Sequence, residues 1–315
     1  MSAATERAHD RKVVLVTRRT RLEELIARFH TIDQARFYVE HLGARFDDYE
    51  REHGAYLDAR AQVLAALQAH GRFQVVERAY LPNFLFGPDD VVVALGQDGL
   101  VANTMKYLDA QPLVGLNPES ARYDGVLLPF EAAQFAALLP AVLRDARDAK
   151  RVTMAQASLP DGQRLYAVND LFIGARTHVS ARYALAWHGE TEAQSSSGVI
   201  VSTGLGSTGW MKSVVTGAVG IALRTQHLEG EAHYAPMPWD APRLRFAVRE
   251  PFPSRTSSAR TVYGEFGADA PLALTSAMPE GGVIFSDGIE SDYLAFGAGS
   301  TVMIEPAERV GRLVV

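Results

Sequence analysis

Cysteine is absent from the 315-residue chain, so disulfides, thiolate nucleophiles and Cys-ligated zinc are excluded, and nothing points to an oxidising compartment. A basic excess is missing too. Lys and Arg number 31 against 37 Asp and Glu, a formal net charge of -6, which leaves no surplus for neutralising a nucleic-acid backbone. No apolar run approaches the roughly 20 residues of a membrane span. The polar start from Met1 to Asp10 lacks the apolar core of a signal peptide. The expectation is a cytoplasmic protein with neither a membrane nor a nucleic-acid partner.

The 47% hydrophobic content is enough for two ordinary domains. Lys12 to Thr17 reads as a short strand after a charged tail. Leu22, Leu25, Ile26 and Phe29 then give one helical face, which Ala35, Val39 and Leu42 continue up to Gly43. Tyr56 to His70 is a helix ending at Gly71, Phe73 to Glu77 a strand, and Pro112 to Pro118 another. Glu131 to Lys150 reads as a helix closing an α/β domain over residues 1–148. Beyond it, strand-like runs dominate: Val152 to Leu159, a Pro-Asp-Gly turn and Leu165 to Ile173 form a hairpin. Further strands are expected from Val179, Gly198, Leu244, Thr261, Pro271 and Gly282. A short helix is expected over Ser207 to Gly217, and Leu223 to Pro242 carries little pattern. Residues 149–291 form this β-rich domain, and residues 292–315 a C-terminal segment that mixes apolar and polar residues in strand fashion.

Three polar clusters stand at the ends of apolar runs. The first follows Val91 to Leu95 as Gly96-Gln97-Asp98-Gly99. A run buried on both faces suits a parallel sheet, ligands bind at the carboxyl ends of such strands, and flanking glycines permit positive φ and close approach to a phosphate. The plain alternative is a strand-to-helix loop whose Asp caps a helix. The second is Asn169-Asp170, which alone reads as a turn. The third, Ser202 to Trp210 (STGLGSTGW), spaces glycines among hydroxyls before a helix. That arrangement offers free N–H groups and a helix N-terminus to phosphate or ribose oxygens, or else makes a flexible capped turn. His227, Glu229, Glu231 and His233 alternate in a polar stretch that reads as a solvated loop, so no metal site is expected there. Lys106 and Arg122 could neutralise phosphate, although a lone basic residue on a loop or helix is usually only solvated.

In order and spacing these stretches resemble the NAD kinase family, in particular its mitochondrial-type branch. That family carries Gly-Gly-Asp-Gly after an apolar strand, an Asn-Glu or Asn-Asp pair, and a Ser-Thr-Pro-x-Gly-Ser-Thr-Ala-Tyr run opening a helix. Pro112 to Pro118 with Asp124-Gly125, Met211-Lys212-Ser213 and Phe285-Ser286-Asp287-Gly288 add to the likeness. The resemblance implies an NAD kinase-like fold: a Rossmann-like open α/β domain, a mostly-β second domain that binds the dinucleotide, a C-terminal segment that returns to the first domain, and an active site in the cleft between the two domains. It implies transfer of the γ-phosphoryl of ATP, with Mg²⁺, to the 2'-hydroxyl of the adenosine ribose of NAD. Asp98 would take the hydroxyl proton, Gly96 and Gly99 would approach phosphate, and Gly99, Asn169, Asp170, Thr208, Gly209, Trp210 and Ser213 would contact the dinucleotide. A homodimer or homotetramer is also implied.

Departures from the family pattern gather in the same places. Gln97 replaces a glycine, Leu100 a threonine and Ser197 an aspartate, while Gly204-Leu205 and Gly209-Trp210 replace Pro-Thr and Ala-Tyr type pairs. They motivate a second reading, a nucleotide-binding regulatory protein with impaired catalysis on the same scaffold. A lipid kinase sharing the tetrad is the third, disfavoured by Asn169-Asp170 and the Ser207-Thr208 run.

Overall fold

The computed structural model describes residues 10–227, 229–230 and 233–315. The chain divides into two compact units. One holds the residues up to Lys150 together with Gly311–Val315, the other Arg151–Val310.

The first unit is an open parallel sheet with helices. Its elements in chain order are β1 (Val13–Thr17), α1 (Arg21–Phe29), α2 (Ile32–His41), α3 (Asp47–His70), β2 (Phe73–Glu77), β3 (Val91–Leu95), α4 (Asp98–Met105), β4 (Pro112–Asn117), β5 (Phe130–Glu131) and α5 (Phe135–Leu143). The strands lie in the order β2, β1, β3, β4, all parallel, with Val13 opposite both Phe73 and Val91 and Val92 opposite Leu113. The last residues of the chain add a parallel neighbour to β4, Arg312 facing Pro112. β1 and β3 are buried along their whole length, as near-continuous Val and Leu runs require of strands covered on both faces. The chain leaves β1 on one side to form β2 and returns on the other to form β3. Strand order therefore reverses between β1 and β3, the crevice in which open α/β sheets bind ligands.

Several elements differ from the sequence expectation for identifiable reasons. The apolar face from Leu22 to Leu42 is split, because His30 turns left-handed (φ 70) and Thr31 caps a second helix. α3 begins nine residues before Tyr56; its first turn carries Asp47, Asp48 and Glu50, favoured there by the helix dipole although they add nothing to the apolar stripe. The expected helix to Lys150 stops at Leu143, and the chain is already extended at Ala149.

The second unit is two antiparallel sheets face to face. Its strands are β6 (Ala149–Ser158), β7 (Arg164–Ala167), β8 (Asp170–Ala175), β9 (Ala181–Trp187), β10 (Glu190–Ser196), β11 (Val199–Ser202), β12 (Leu244–Val248), β13 (Tyr263–Phe266), β14 (Leu272–Ser276), β15 (Gly282–Ser286), β16 (Ile289–Ala295) and β17 (Thr301–Val314), with α6 (Trp210–Thr225) between β11 and β12. One sheet runs β13, β12, β11, β8, β15, β16; the other contains β10, β9, β14 and β17. Leu171, Ile173, Val199, Phe246 and Ile284 of the first sheet meet Tyr183, Leu185, Leu274 and Ile304 of the second in one core. Each such side chain contributes about 1.5–3 kcal/mol on burial. α6 covers the opposite face of the first sheet through Met211, Val214 and Val215 against Ile200 and Ala247. β10 escapes the sequence pattern because Glu190-Thr-Glu-Ala-Gln-Ser-Ser is polar; it pairs with β9 along its full length. Of the proposed His and Glu quartet, Glu231 lies outside the described residues. Among the described residues no group of three or more His, Cys, Asp or Glu could hold a metal ion, and no helix is long and apolar enough to cross a membrane.

Candidate functional site

The Asp98 turn lies at the carboxyl end of β3, beside β1, where strand order reverses. Gly96 continues the ladder, its N–H donating to Leu116 O at 3.1 Å, and Gln97 is the extended N-cap of α4 (φ -112, ψ 164). Asp98 is thus the first residue of a helix, where the dipole favours a carboxylate. Its Oδ1 accepts the Leu127 N–H at 2.8 Å and its Oδ2 the Val126 N–H at 3.2 Å. A carboxylate has about four lone-pair positions, so two amide contacts orient it and leave acceptor capacity over.

The loop that supplies those amides reaches Asp98 because of one glycine. A Cβ on Gly115 in β4 would stand 2.0 Å from Leu127 O, so only glycine lets the 125–128 segment lie on the strand. Asn117 braces the same loop, donating to Tyr123 O at 3.0 Å and accepting the Glu119 N–H at 3.0 Å. The tetrad itself behaves differently from expectation: none of Gly96, Gln97 or Gly99 has positive φ. A side chain at 97 therefore meets no backbone penalty, and Leu100, named above as replacing a threonine, is buried.

The basic residues also sit differently. Arg122 is committed to Asp48 and Glu119, the latter at 2.9 Å. That pairing, Arg122 first and Arg21 next, holds the Asp48 carboxyl far below the usual range. Lys106 is buried. The cation beside the turn is instead Arg18, just past β1, whose Nε would lie 3.3 Å from a Cβ on Gly96. Its Nη2 contacts Glu52 at 2.7 Å and its N–H donates to the Tyr56 hydroxyl at 3.0 Å. Arg18, Arg19, Arg60 and Tyr80 line a cavity of about 780 Å³ between α1 and β2. Arg18 escaped the sequence reading because a basic residue after a strand has no distinguishing pattern.

In the second unit, Val168 and Asn169 form the turn from β7 to β8, and Asp170 opens β8, opposite Ser202. Thr203 holds the turn from one side: its N–H donates to Asn169 O at 2.9 Å and its hydroxyl to Val168 O at 2.6 Å. Asp287, in the turn from β15 to β16, holds it from the other. Its carboxylate accepts the N–H groups of Val168 at 3.0 Å, Asn169 at 2.6 Å and Asp170 at 3.3 Å. The glycines of the Ser202 to Trp210 run serve packing. A Cβ on Gly206 would lie 2.2 Å from Asn169 O. The N–H groups expected to be free for phosphate are largely used internally, Gly206 to Thr203 Oγ1, Ser207 to Thr203 O and Gly209 to Gly206 O.

Asn169, Asp170, Thr208, Gly209 and Trp210 line one cavity of about 320 Å³ with Leu205, Gly206 and Asp287. Ser213 lies a turn into α6, exposed, its hydroxyl donating to Gly209 O at 3.3 Å. A second cavity of about 430 Å³ shares Asp170 and Trp210 and adds Phe172, Arg176, His178, Ser197, Arg249, Phe285 and Glu290. Phe172 stacks on Trp210 (6.0 Å, 18°) and on Phe285 (6.1 Å, 17°), and the Arg249 guanidinium lies 5.5 Å from the Trp210 ring. Planar rings beside a guanidinium suit an aromatic ligand bearing phosphate. Asp170 Oδ1 is buried without a partner. Burial pushes this carboxyl up to about 7; the Ser202 hydroxyl pulls it down, and the charge of Asp287 adds to the rise. Strong perturbation in a cavity is a mark of functional sites.

No protein-family model matches the sequence, and no characterised protein matches it by sequence. Solved structures do. The yeast NADH kinase complexed with NADH superposes over 97% of this chain and 83% of its own, with a TM-score of 0.57 at 13% identity. An NAD kinase from Archaeoglobus fulgidus in complex with ATP covers 96% of this chain and 93% of its own, with a TM-score of 0.55 at 16% identity. The parallel α/β unit followed by a mostly-β unit is the fold of these NAD(H) kinases.

Proposed function

We propose that the chain is an ATP-dependent kinase of NAD or NADH that phosphorylates the 2'-hydroxyl of the adenosine ribose. The observation that carries this reading is Asp98: a carboxylate at a strand-order reversal, oriented by two backbone amides and keeping lone pairs for a hydroxyl proton. Phosphoryl transfer asks for positioning and charge neutralisation rather than covalent catalysis. Asp98 would accept the proton as the ribose oxygen attacks the γ-phosphorus and the bond to the departing ADP oxygen breaks. Arg18, which approaches Gly96, would face the donor phosphates together with Arg19 and Arg60, which line the same cavity between α1 and β2. Asn169 and Asp170 would take ribose hydroxyls, and Trp210 would offer a ring face to a base.

Mg²⁺ is read as entering with ATP. It keeps waters and substrate phosphate oxygens as ligands and asks for only one or two carboxylates; Asp98 has the acceptor capacity to serve as one. The mitochondrial-type affinity and the homo-oligomer belong to the same proposal and rest on the sequence likeness. Calorimetric titration with NAD and NADH, followed by an ATP-Mg²⁺ assay for the 2'-phosphorylated product, tests the reading. Binding with turnover that vanishes in Asp98→Asn supports it, and absence of binding overturns it. Binding without turnover would instead favour the regulatory reading, for which the loss of a carboxylate at Ser197 is the specific motive.

A further inference from the structure

Asp287 has no role in the reaction just described, yet it makes the densest set of polar contacts around the dinucleotide turn. Three successive N–H groups, those of Val168, Asn169 and Asp170, converge on its carboxylate at 3.0, 2.6 and 3.3 Å, and its own N–H returns to Asp170 O at 2.9 Å. Consecutive amides turned to one point make a concavity of the kind that ordinarily captures an external anion. Here the anion is a side chain. Asp287 delivers it from a left-handed conformation (φ 52), followed by Gly288 at φ 71, a tight reversal between β15 and β16. Asn169 sits between β7 and β8 with no ladder pairing of its own; Thr203 ties the carbonyl groups of Val168 and Asn169, and Asp287 gathers the amides.

We infer that Asp287 is the positioning residue of the dinucleotide site: its carboxylate fills the amide nest of residues 168–170, fixes Asn169 and Asp170 in their binding geometry, and holds a negative charge beside the Asp170 carboxyl. The inference rests on the dinucleotide reading of this turn. It has two separable consequences. Geometry is fixed by the hydrogen bonds, whereas the proton equilibrium of Asp170 depends on the charge. Arg176, His178, Arg249 and Glu290 are the charged and titratable groups that line the larger cavity with Asp170, and the Ser202 hydroxyl reaches it from β11; none changes in the variants below.

The test is NAD affinity against pH, by calorimetry, in the full-length wild type, Asp287→Asn and Asp287→Glu, with hydrogen exchange of the 168–170 amides in the ligand-free proteins. Asp287→Asn keeps one acceptor and removes the charge. It should weaken NAD binding about tenfold and speed exchange at 168–170, and the pH midpoint of affinity should fall by about half a unit as the like charge goes. Asp287→Glu keeps the charge on a longer arm, so affinity should fall while the midpoint stays. A purely structural residue would change stability and exchange in both variants alike without moving the midpoint in one. Wild type that binds NAD with an affinity and midpoint unchanged in Asp287→Asn overturns this inference alone. Wild type that binds neither NAD nor NADH overturns the functional reading and this inference with it. If Asp287→Asn does not fold, exchange and midpoint in Asp287→Glu decide: protected amides at wild-type affinity, or a shifted midpoint, would overturn the assignment.

Discussion

In the first unit a backbone loop holds a carboxylate; in the second a carboxylate holds a backbone loop. Asp98 receives the amides of Val126 and Leu127 because Gly115 lets their segment descend onto β4. Asp287 reaches out and gathers the amides of three residues, leaving the neighbouring Asp170 Oδ1 buried and unpartnered. The difference separates two tasks. On the proposed function, the group that would meet a reacting proton is oriented with acceptor capacity to spare, whereas the turn that would recognise the ligand is held through its backbone and keeps Asp170 Oδ1 unspent.

Replacing the catalytic candidate gives the sharpest test of that division. Asp98→Asn should lower turnover by about 10²–10⁴-fold with NAD affinity nearly unchanged, checked by steady-state kinetics beside calorimetry; a parallel loss of affinity would break the comparison. Asp170→Asn should act in the opposite sense. An acid whose folded value is raised costs stability as pH climbs from its ordinary value near 4 to about 7, and the full cost persists above that. The asparagine variant should gain on the order of 2–4 kcal/mol at pH 8 and nothing at pH 3, while binding NAD less well, as denaturant titration and calorimetry would record. Failure to gain stability would mean that Asp170 is not held against its own desolvation.

Smaller effects follow for the residues that bring the loops into place. Gly115→Ala and Gly206→Ala put a Cβ about 2 Å from a carbonyl oxygen and should each cost about 1–3 kcal/mol, the former reducing turnover and the latter NAD affinity. Glu192, away from both turns, offers an acid-side control. Burial works to raise its carboxyl, but hydrogen bonds from Ser258 and the N–H groups of Arg260 and Thr261 outweigh it and bring it down to about 2. Its stabilisation is complete above the ordinary carboxyl value and is lost as pH falls from there towards 2. Glu192→Gln should therefore cost on the order of 2 kcal/mol at pH 7 and nothing near pH 2. Gly99→Ala is the smallest change for folding: nothing lies within 4 Å of the added Cβ, and Ala in a helix gains about 0.5–1 kcal/mol over Gly. Lost turnover at unimpaired stability would assign that glycine to close approach of phosphate.

Much of the architecture was legible because burial leaves a pattern. Val13 to Thr17, Val91 to Leu95 and Pro112 to Asn117 are apolar runs ending at turn residues, which is what two-sided burial demands of a strand. β10 was illegible since its polar side chains carry no alternation, and its pairing with β9 comes from the turn at His188 and Gly189, both at positive φ. At the sites, Asp98, Asn169 and Asp170 stood out as polar residues at strand ends. Arg18, Gly115 and Tyr56 did not, because each is ordinary in its local context and matters only through a partner far away in sequence. Asp287 was part of the sequence likeness, but the role inferred for it rests on amides more than a hundred residues away.

By itself the sequence determined where strands must be buried, which turns interrupt them, and the order of the polar clusters that resembles the NAD kinase pattern. These are local properties, set by side-chain hydrophobicity and by the few residues that punctuate a chain. Contacts between distant segments set which backbone amides meet which carboxylates, spend the glycines of Gly204 to Gly209 partly on packing, and bury Asp170 Oδ1 near a like charge. Hydrogen bonds between segments 28 and 117 residues apart depend on how sheets bring loops together, and desolvation depends on everything that surrounds a group.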